Sequence, residues 1–521
     1  MKKFIVLCLA GLLILSFGAA VYAQAPKIEF KASGFIDAIG IYDKNVPRYN
    51  AAAGIFQVTN PDYGTPVGDK KALDKKQTFW TMRTRLKFDA IVDKNLSGTV
   101  FFEADSTRWG DISGGQGGKL RESGALGVWS TDRVAWEVKN LYIDFGLPYI
   151  GIPVPMGFRV GAQPLGIRPN LLVYTDGMGI TFNADLSPVK AQVLWFKALE
   201  GKDWVADDVT VYGIQANAKI ATFTVGGYGL YYNMQSYPFT VGTAVSPALA
   251  GIPSLYGLVQ GTQQANMWWF GVYADGKAGP VNINFDFIYD TGTVKERLTA
   301  GIPDVDYDGW LTYLKIDLPW EKFNFGAVGM YASGADAKKT SKSGLPGTAV
   351  ANPAGVGLSR KVKSFVVPPG SEAGPIFQEA LVVYNGFHGD SEPLGIGDNA
   401  NYNALSRGGA GGTAMLKAYG TVKATPWYKV TLQGLYVWDT TKNGTTFGTA
   451  VKPDGSLRND KDIGFEMDLI NEIAIYKNLS WFVGGGYLWA GDALDLKHPS
   501  GNFNFSPKNP WVLATKLLFT F

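Results

Sequence analysis

Cysteine is almost absent from this chain: its 521 residues contain one, Cys8, inside an apolar run near the N-terminus. The remainder must fold without disulfides and cannot use a thiol nucleophile, an iron–sulfur cluster or covalently attached haem. Histidine is nearly as scarce. His388 and His498 are the two present, both in stretches that read as loops, which argues against zinc chemistry and against a Ser–His hydrolase on a strand face. After residue 25 no run of about 18 apolar residues occurs, so no helical membrane span is expected. An excess of one charge is also lacking. Lys and Arg total 48 and Asp and Glu 45; setting aside Lys2 and Lys3 leaves 46 against 45, which gives no electrostatic case for nucleic acid.

What is present begins with an address. Lys2 and Lys3 precede the apolar run from Phe4 to Ala20, and Val21-Tyr22-Ala23 places small residues before a cut. Residues 1–23 therefore read as a secretory signal peptide, with a cut after Ala25 nearly as good. Cys8 lies away from any cut, which argues against a lipoprotein. Residues 24–521 show no composition break and read as one domain. They hold the chain's 15 Trp and most of its 25 Tyr, 30 Phe and 65 Gly. Many aromatics and glycines without long apolar runs suit a sheet with one face in lipid and one in water.

The pattern has period two. From Trp80 to Ala90, Trp80, Met82, Leu86, Phe88 and Ala90 share one face, while Arg83, Arg85, Lys87 and Asp89 share the other. A helix would scatter these charges around its circumference; a strand gathers them on one side. The same alternation recurs over 281–289, 416–423, 429–438 and 465–469, and it slips by one residue around Asn140, the mark of a bulge. Strands are predicted near 28–42, 77–92, 96–106, 134–145, 157–164, 177–186, 189–197, 209–220, 223–234, 267–277, 281–290, 309–318, 323–333, 414–424, 428–438, 462–475, 479–489 and 510–521, about 18 in all. Short connections such as Asp93-Lys94-Asn95, Ser187-Pro188 and Tyr476-Lys477-Asn478 alternate with long polar ones such as 43–76, 107–133, 235–266 and 334–413. A soluble β-sandwich or propeller would show shorter strands and no such alternation. The fold class expected is all-β: a transmembrane antiparallel up-and-down β-barrel of 16–18 strands, with short periplasmic turns and long extracellular loops. The stretch 146–156 fits least well, being longer than a turn.

Two features resemble known proteins. Trp511, Leu513, Thr515, Leu517, Phe519 and Phe521 share a face and end the chain, which resembles the terminal signal that outer-membrane proteins present to the barrel-assembly machinery. The stretches Arg85–Ala90 through Lys94-Asn95-Leu96 to Asp105, and Asp462–Leu469 through Lys477-Asn478-Leu479 to Asp492, are similar to the porin and alginate-export-like barrels of Gram-negative bacteria. The resemblance implies a passive outer-membrane channel for small hydrophilic solutes or ions, in contact with lipid and lipopolysaccharide and able to form a homotrimer. Exporters of anionic polysaccharide in that group resemble an arginine-lined tunnel, and this chain shows one clear basic ladder. A selective polysaccharide channel and a barrel that sheathes a partner complex stay open as alternatives; an enzyme is not expected.

A channel's chemistry lies in its inward side chains. Pairing across Lys94 with residue numbers summing to 188 sets Arg85 against Glu103, Arg83 against Asp105 and Lys87 against Phe101. The row Arg83, Arg85, Lys87, Asp89, Glu103 and Asp105 then either sets the field of the channel or neutralises itself and pins strand register, the second being favoured. Lys87, with no acid directly opposite, is the residue expected to influence selectivity most. Glu466, Asp468 and Glu472 are predicted to face the lumen, with Gly486 opposite Asp468 leaving open volume beside the acid. The loop 334–413 is too long for a plain connector and carries apolar patches at 365–367 and 376–384; it either enters the barrel as a constriction or caps it outside. Asp304, Asp306 and Asp308, followed by Gly309, resemble the start of a calcium loop, but Lys315 stands where an EF-hand needs Glu. A looser calcium site in an outer loop competes with an acidic turn. No other cofactor is expected.

Overall fold

The computed structural model describes residues 28–45, 76–104, 136–147, 155–201, 207–237, 263–296, 304–336, 361–384, 404–446, 458–497 and 509–521, with a few short pieces between them. The expected signal peptide, Asp105 and both histidines lie outside the described residues.

Among the described residues, 19 strands form one sheet. One is the two-residue piece Lys361–Val362, which pairs in parallel with Asp306 and Tyr307 in the same sheet. The other eighteen are the wall: β1 (Glu29–Lys44), β2 (Lys76–Asp93), β3 (Leu96–Ala104), β4 (Glu137–Gly146), β5 (Met156–Ile167), β6 (Val173–Leu186), β7 (Val189–Leu199), β8 (Val209–Ile220), β9 (Phe223–Tyr237), β10 (Gln263–Ala278), β11 (Val281–Glu296), β12 (Val305–Trp320), β13 (Phe323–Ala332), β14 (Thr413–Thr425), β15 (Tyr428–Asp439), β16 (Asp462–Tyr476), β17 (Leu479–Ala490) and β18 (Trp511–Thr520). Each pairs antiparallel with its sequence neighbour, and β18 returns to β1 from Phe35↔Thr520 to Lys44↔Trp511, which closes the barrel. Each of the eighteen strands expected from alternation corresponds to one of these.

Closure is sealed at the chain end, where Phe521 and Gly34 exchange two backbone hydrogen bonds of 2.9 and 3.1 Å. With no free edge, every wall strand finds partners on both sides, which is the condition for a sheet to sit in hydrocarbon. The outward face is apolar around the circumference: Phe88, Leu141, Ile180, Val193, Ile214, Val272, Leu314, Leu416, Leu469 and Leu517 are all exposed. Such a continuous apolar band is unstable in water and matches a lipid-facing belt. Trp80, Trp310 and Trp489 mark its rim at the end of the long connections, and Trp320 and Trp427 its rim at the end of the short turns.

Two departures from a plain barrel matter. First, β4 pairs with β5 between Leu141↔Ala162 and Gly146↔Gly157, and β7 pairs with β6 between Met178↔Lys197 and Leu186↔Val189. Residues 163–167 and 173–177 pair with each other but with neither neighbouring strand. The tip of this hairpin therefore leaves the wall and turns inward. It does so where Gly161 stands opposite Gly179. Gly161 has φ +132°, and a Cβ there would strike the Leu141 carbonyl, so only glycine fits. Gln163 secures the bend, donating to the Gly179 carbonyl at 2.7 Å and accepting from the Thr181 hydroxyl at 2.9 Å. The predicted strands 157–164 and 177–186 had stopped and restarted at this departure.

Second, the described parts of the 334–413 loop lie inside the barrel. Phe365, Val366, Val367, Phe377, Val382, Val383, Tyr384 and Leu405 are buried against Leu165, Ile167, Leu172 and Val173 of the hairpin tip and against Leu230, Met267, Trp269, Ile288, Tyr307 and Leu311 of the wall. In their outer halves the wall strands that receive them turn apolar side chains inward, among them Met267, Trp269, Val305, Tyr307 and Leu311. β10, β11 and β12 run to 16 residues each, and clean alternation showed only part of each one.

Candidate functional site

The inward side chains fall into two levels. Those of the periplasmic half stay open: Lys87, Asp144 and Arg159 expose a third or more of their side chains. Those at mid-height are covered, forming a waist.

On the β2–β4 wall the waist is charged. Arg85 stands opposite Glu103, as the register sum of 188 requires, and Lys87 opposite Phe101. The Arg85 Nε lies 2.5 Å from Glu103 Oε1, and the Arg83 Nε lies 3.4 Å from the same oxygen. A bulge then adds a third cation. Phe101 pairs with Asn140 and Phe102 with Val138, so Lys139 is the extra residue. The bulge turns both Lys139 and Asn140 inward. Lys139 Nζ bridges Glu103 and Asp176 at 2.9 Å each, and Asn140 donates to Asp176 at 2.7 Å. Asp176 belongs to the inward hairpin, so this cluster joins wall to hairpin. Three cations share two carboxylates, with Glu103 only 2 % exposed. The phase slip around Asn140 was visible in the sequence; that it would deliver Lys139 to Glu103 was not.

Lys87 does have an acidic partner. Asp89, two residues along the same strand face, lies 3.0 Å from its Nζ and also accepts from the Thr99 hydroxyl at 2.6 Å. Looking only directly across the strands missed it, because alternate residues on one strand are neighbours too.

On β16, the inner segment is bound to the wall through its backbone. Val382 and Val383 donate their N–H groups to the two oxygens of Glu466 at 2.6 and 2.8 Å, and Leu381 donates to Asp468 at 3.2 Å. Glu379 accepts from Lys417 Nζ at 2.6 Å and from the Tyr313 hydroxyl at 2.7 Å. Glu466 and Asp468 thus face inward but are sealed beneath residues 381–383, while Glu472, lower on β16, is ion-paired with Lys429 and stays a third exposed. The volume that Gly486 leaves beside Asp468 is taken by Leu381 and Val382. A side chain at Gly486 would overlap the Asp468 carboxylate and press on Leu381. Gly486→Val is expected to lower stability by about 2 kcal/mol through overpacking, read as an earlier thermal transition of the folded barrel; an unchanged transition would mean the segment yields freely there.

The other end of the inner segment meets the hairpin. Ser371 donates to the Leu172 carbonyl at 2.8 Å and the Glu372 N–H to the Tyr174 carbonyl at 2.8 Å. The hairpin in turn crosses to β10 and β11, where Arg168 pairs with Asp275 at 2.7 Å and with Asp286 at 2.5 Å and covers the Tyr273 ring. Trp269 donates to the Val366 carbonyl at 2.8 Å, and Asp290 accepts from the Val366 N–H at 3.2 Å. Hairpin and segment together bridge the lumen from the β4 wall to the β16 wall, six strands apart around the barrel. None of Arg168, Lys139, Asp176 or Glu379 was expected to contribute. Pro169 and the Gly161 and Gly166 flanking Pro164 are the sequence signals of a bent hairpin tip.

Asp304, Asp306 and Asp308 lie at the outer end of β12, on the outward face above Trp310. Asp306 accepts from the Thr293 hydroxyl at 2.8 Å and Asp308 from the Tyr289 hydroxyl at 2.9 Å. Alternate strand residues are spaced about 7 Å apart, and among the described residues no three acidic, His or Cys side chains converge as an ion would need.

No protein-family model matches the chain, and no curated protein matches it. Solved structures do resemble it in outline. OccK8 (OprE) of Pseudomonas aeruginosa is 10% identical, with 95% of this chain and 98% of that one covered and a TM-score of 0.48. A BenF-like porin from Pseudomonas fluorescens is 10% identical over 94% and 98% with a TM-score of 0.46, and OpdQ of Pseudomonas aeruginosa is 8% identical over the same shares with a TM-score of 0.46.

Proposed function

We propose that this protein is an outer-membrane porin whose passage is narrowed at mid-height, so that small hydrophilic solutes or ions diffuse down their gradients past the Arg83–Arg85–Lys139–Glu103 cluster. The observation that carries the reading is the closed barrel of eighteen strands with a lipid-type exterior and a charged interior. Eight strands would fill their own interior, whereas eighteen enclose a lumen wide enough to need the hairpin and inner segment to reduce it. Lumenal charges of both signs, mostly paired, favour a weakly selective passage over an arginine-lined polysaccharide tunnel. Assembly would use the terminal strand ending at Phe521, which completes the wall against β1.

The test is single-channel recording of the refolded protein in a planar bilayer. Stepwise, steady conductance is expected, with a reversal potential in a salt gradient that shifts when the waist charges are changed. Absence of any conductance from barrels that resist protease and migrate as folded species would sink the channel reading and leave a closed, partner-serving barrel.

A further inference from the structure

Below the waist, on β6, β7 and β8, three carboxamides stand side by side. Asn183 on β6 is opposite Gln192 on β7, and Gln192 is opposite Gln215 on β8. The Gln215 amide donates to Gln192 at 2.5 Å, and the Gln192 amide donates to Asn183 at 2.8 Å. The row runs donor to acceptor in one direction, so its ends present an amide NH2 at Asn183 and a carbonyl oxygen at Gln215. One rung nearer the periplasm, Asp185, Lys190 and Asn217 repeat the arrangement across the same strands. These side chains, with Pro155 and Met156 at the foot of β5, line a recess of about 480 Å³, within the usual size range of small-molecule sites.

We propose that this recess is a binding site for a neutral saccharide passing through the channel, an inference that rests on the porin reading. The upper rung carries no charge, and in the lower one a single carboxylate offsets a single ammonium, so an ion gains nothing there that it does not lose. A polyhydroxylated ring needs what the rungs supply: donors and acceptors side by side at the interstrand spacing of about 4.8 Å, each amide offering both kinds of bond. The waist selects by charge and width; the recess recognises hydroxyl groups and holds the solute at the periplasmic mouth.

The test is calorimetric titration of the refolded full-length barrel in detergent with maltotriose, beside galacturonate as the anionic comparison, together with bilayer recording in which each is added to the periplasmic side. Saturable maltotriose binding and current block are expected. Gln192→Met, which keeps length but loses both hydrogen bonds, is expected to weaken binding about tenfold with unblocked conductance unchanged, and Asn183→Ala with Gln215→Ala to do the same. If galacturonate binds more tightly than maltotriose, or if the folded variants bind maltotriose as the parent does, the assignment is wrong. An open channel that neither binds nor is blocked by maltotriose overturns the recess alone. Binding to a barrel that conducts nothing keeps the recess and overturns the porin reading.

Discussion

Glu103→Gln is expected to make the channel markedly more anion-selective and to destabilise the barrel by about 3 kcal/mol. Glu103 is buried and serves Arg83, Arg85 and Lys139 together. Removing one partner of a buried charge network leaves the remaining charges uncompensated, at a cost of about 3–5 kcal/mol; glutamine keeps an acceptor oxygen, which places the effect at the lower end. The remaining cations then repel one another, by about 4 kcal/mol for a pair 4 Å apart at the effective dielectric of a protein surface. A net gain of one positive charge beside the passage raises the local concentration of anions. The measurement is the reversal potential across a salt gradient. Replacing Arg83 and Arg85 with Gln is expected to move it the other way, toward cations. If neither change moves the reversal potential, the cluster only pins strand register and permeating ions pass elsewhere.

Freeing the inner segment is expected to have the second large effect. Replacing Glu466 and Asp468 together with Ala removes the acceptors of three successive backbone N–H groups, those of Leu381, Val382 and Val383. Each buried donor left unpaired costs about 1–3 kcal/mol, enough to favour detachment of the segment from β16. Single-channel conductance is expected to rise several-fold and to become noisy, and limited proteolysis to cut near residues 381–383 in the variant but not in the parent. Unchanged conductance would mean that Glu379–Lys417 and the Trp269 and Asp290 bonds to Val366 hold the segment unaided.

The two experiments probe different links. The first asks what the charges do to ions while the passage keeps its width; the second asks what sets that width. A barrel whose conductance responds to the segment but whose selectivity ignores Glu103 would have its permeation path on the side of β14–β16 instead of β2–β4.

How much was legible without the structure follows from which interactions are local. Alternation is a property of one strand, and lipid on one face against water on the other imposes it strongly, so strand number, facing and barrel class could be read residue by residue. The faces of the Arg85–Glu103 pairing were equally readable from Arg85, Lys87, Phe102 and Ala104, but the turn at Lys94 alone does not set its register: Asp93 pairs with Leu96, and a bulge at Val92 brings the ladder into the register of Arg85 with Glu103. Even the slip at Asn140 and the gap at 165–176 left marks. The inward course of that hairpin and of residues 361–384 left weaker ones. Apolar patches in an outer loop say that burial is wanted, not where. Burial arises only once β9–β12 stand across from Phe365 and Val382 and offer Tyr232, Trp269 and Tyr307 as a second surface. The same reason hid the sealing of Glu466 and Asp468 and the roles of Lys139, Asp176, Arg168 and Glu379. Their partners are distant in sequence, and only closure of the barrel brings them within contact. The sequence by itself determined a closed, lipid-facing barrel with a charged interior; the tertiary structure decided how that interior is filled, because packing between distant elements depends on shape that no local pattern carries.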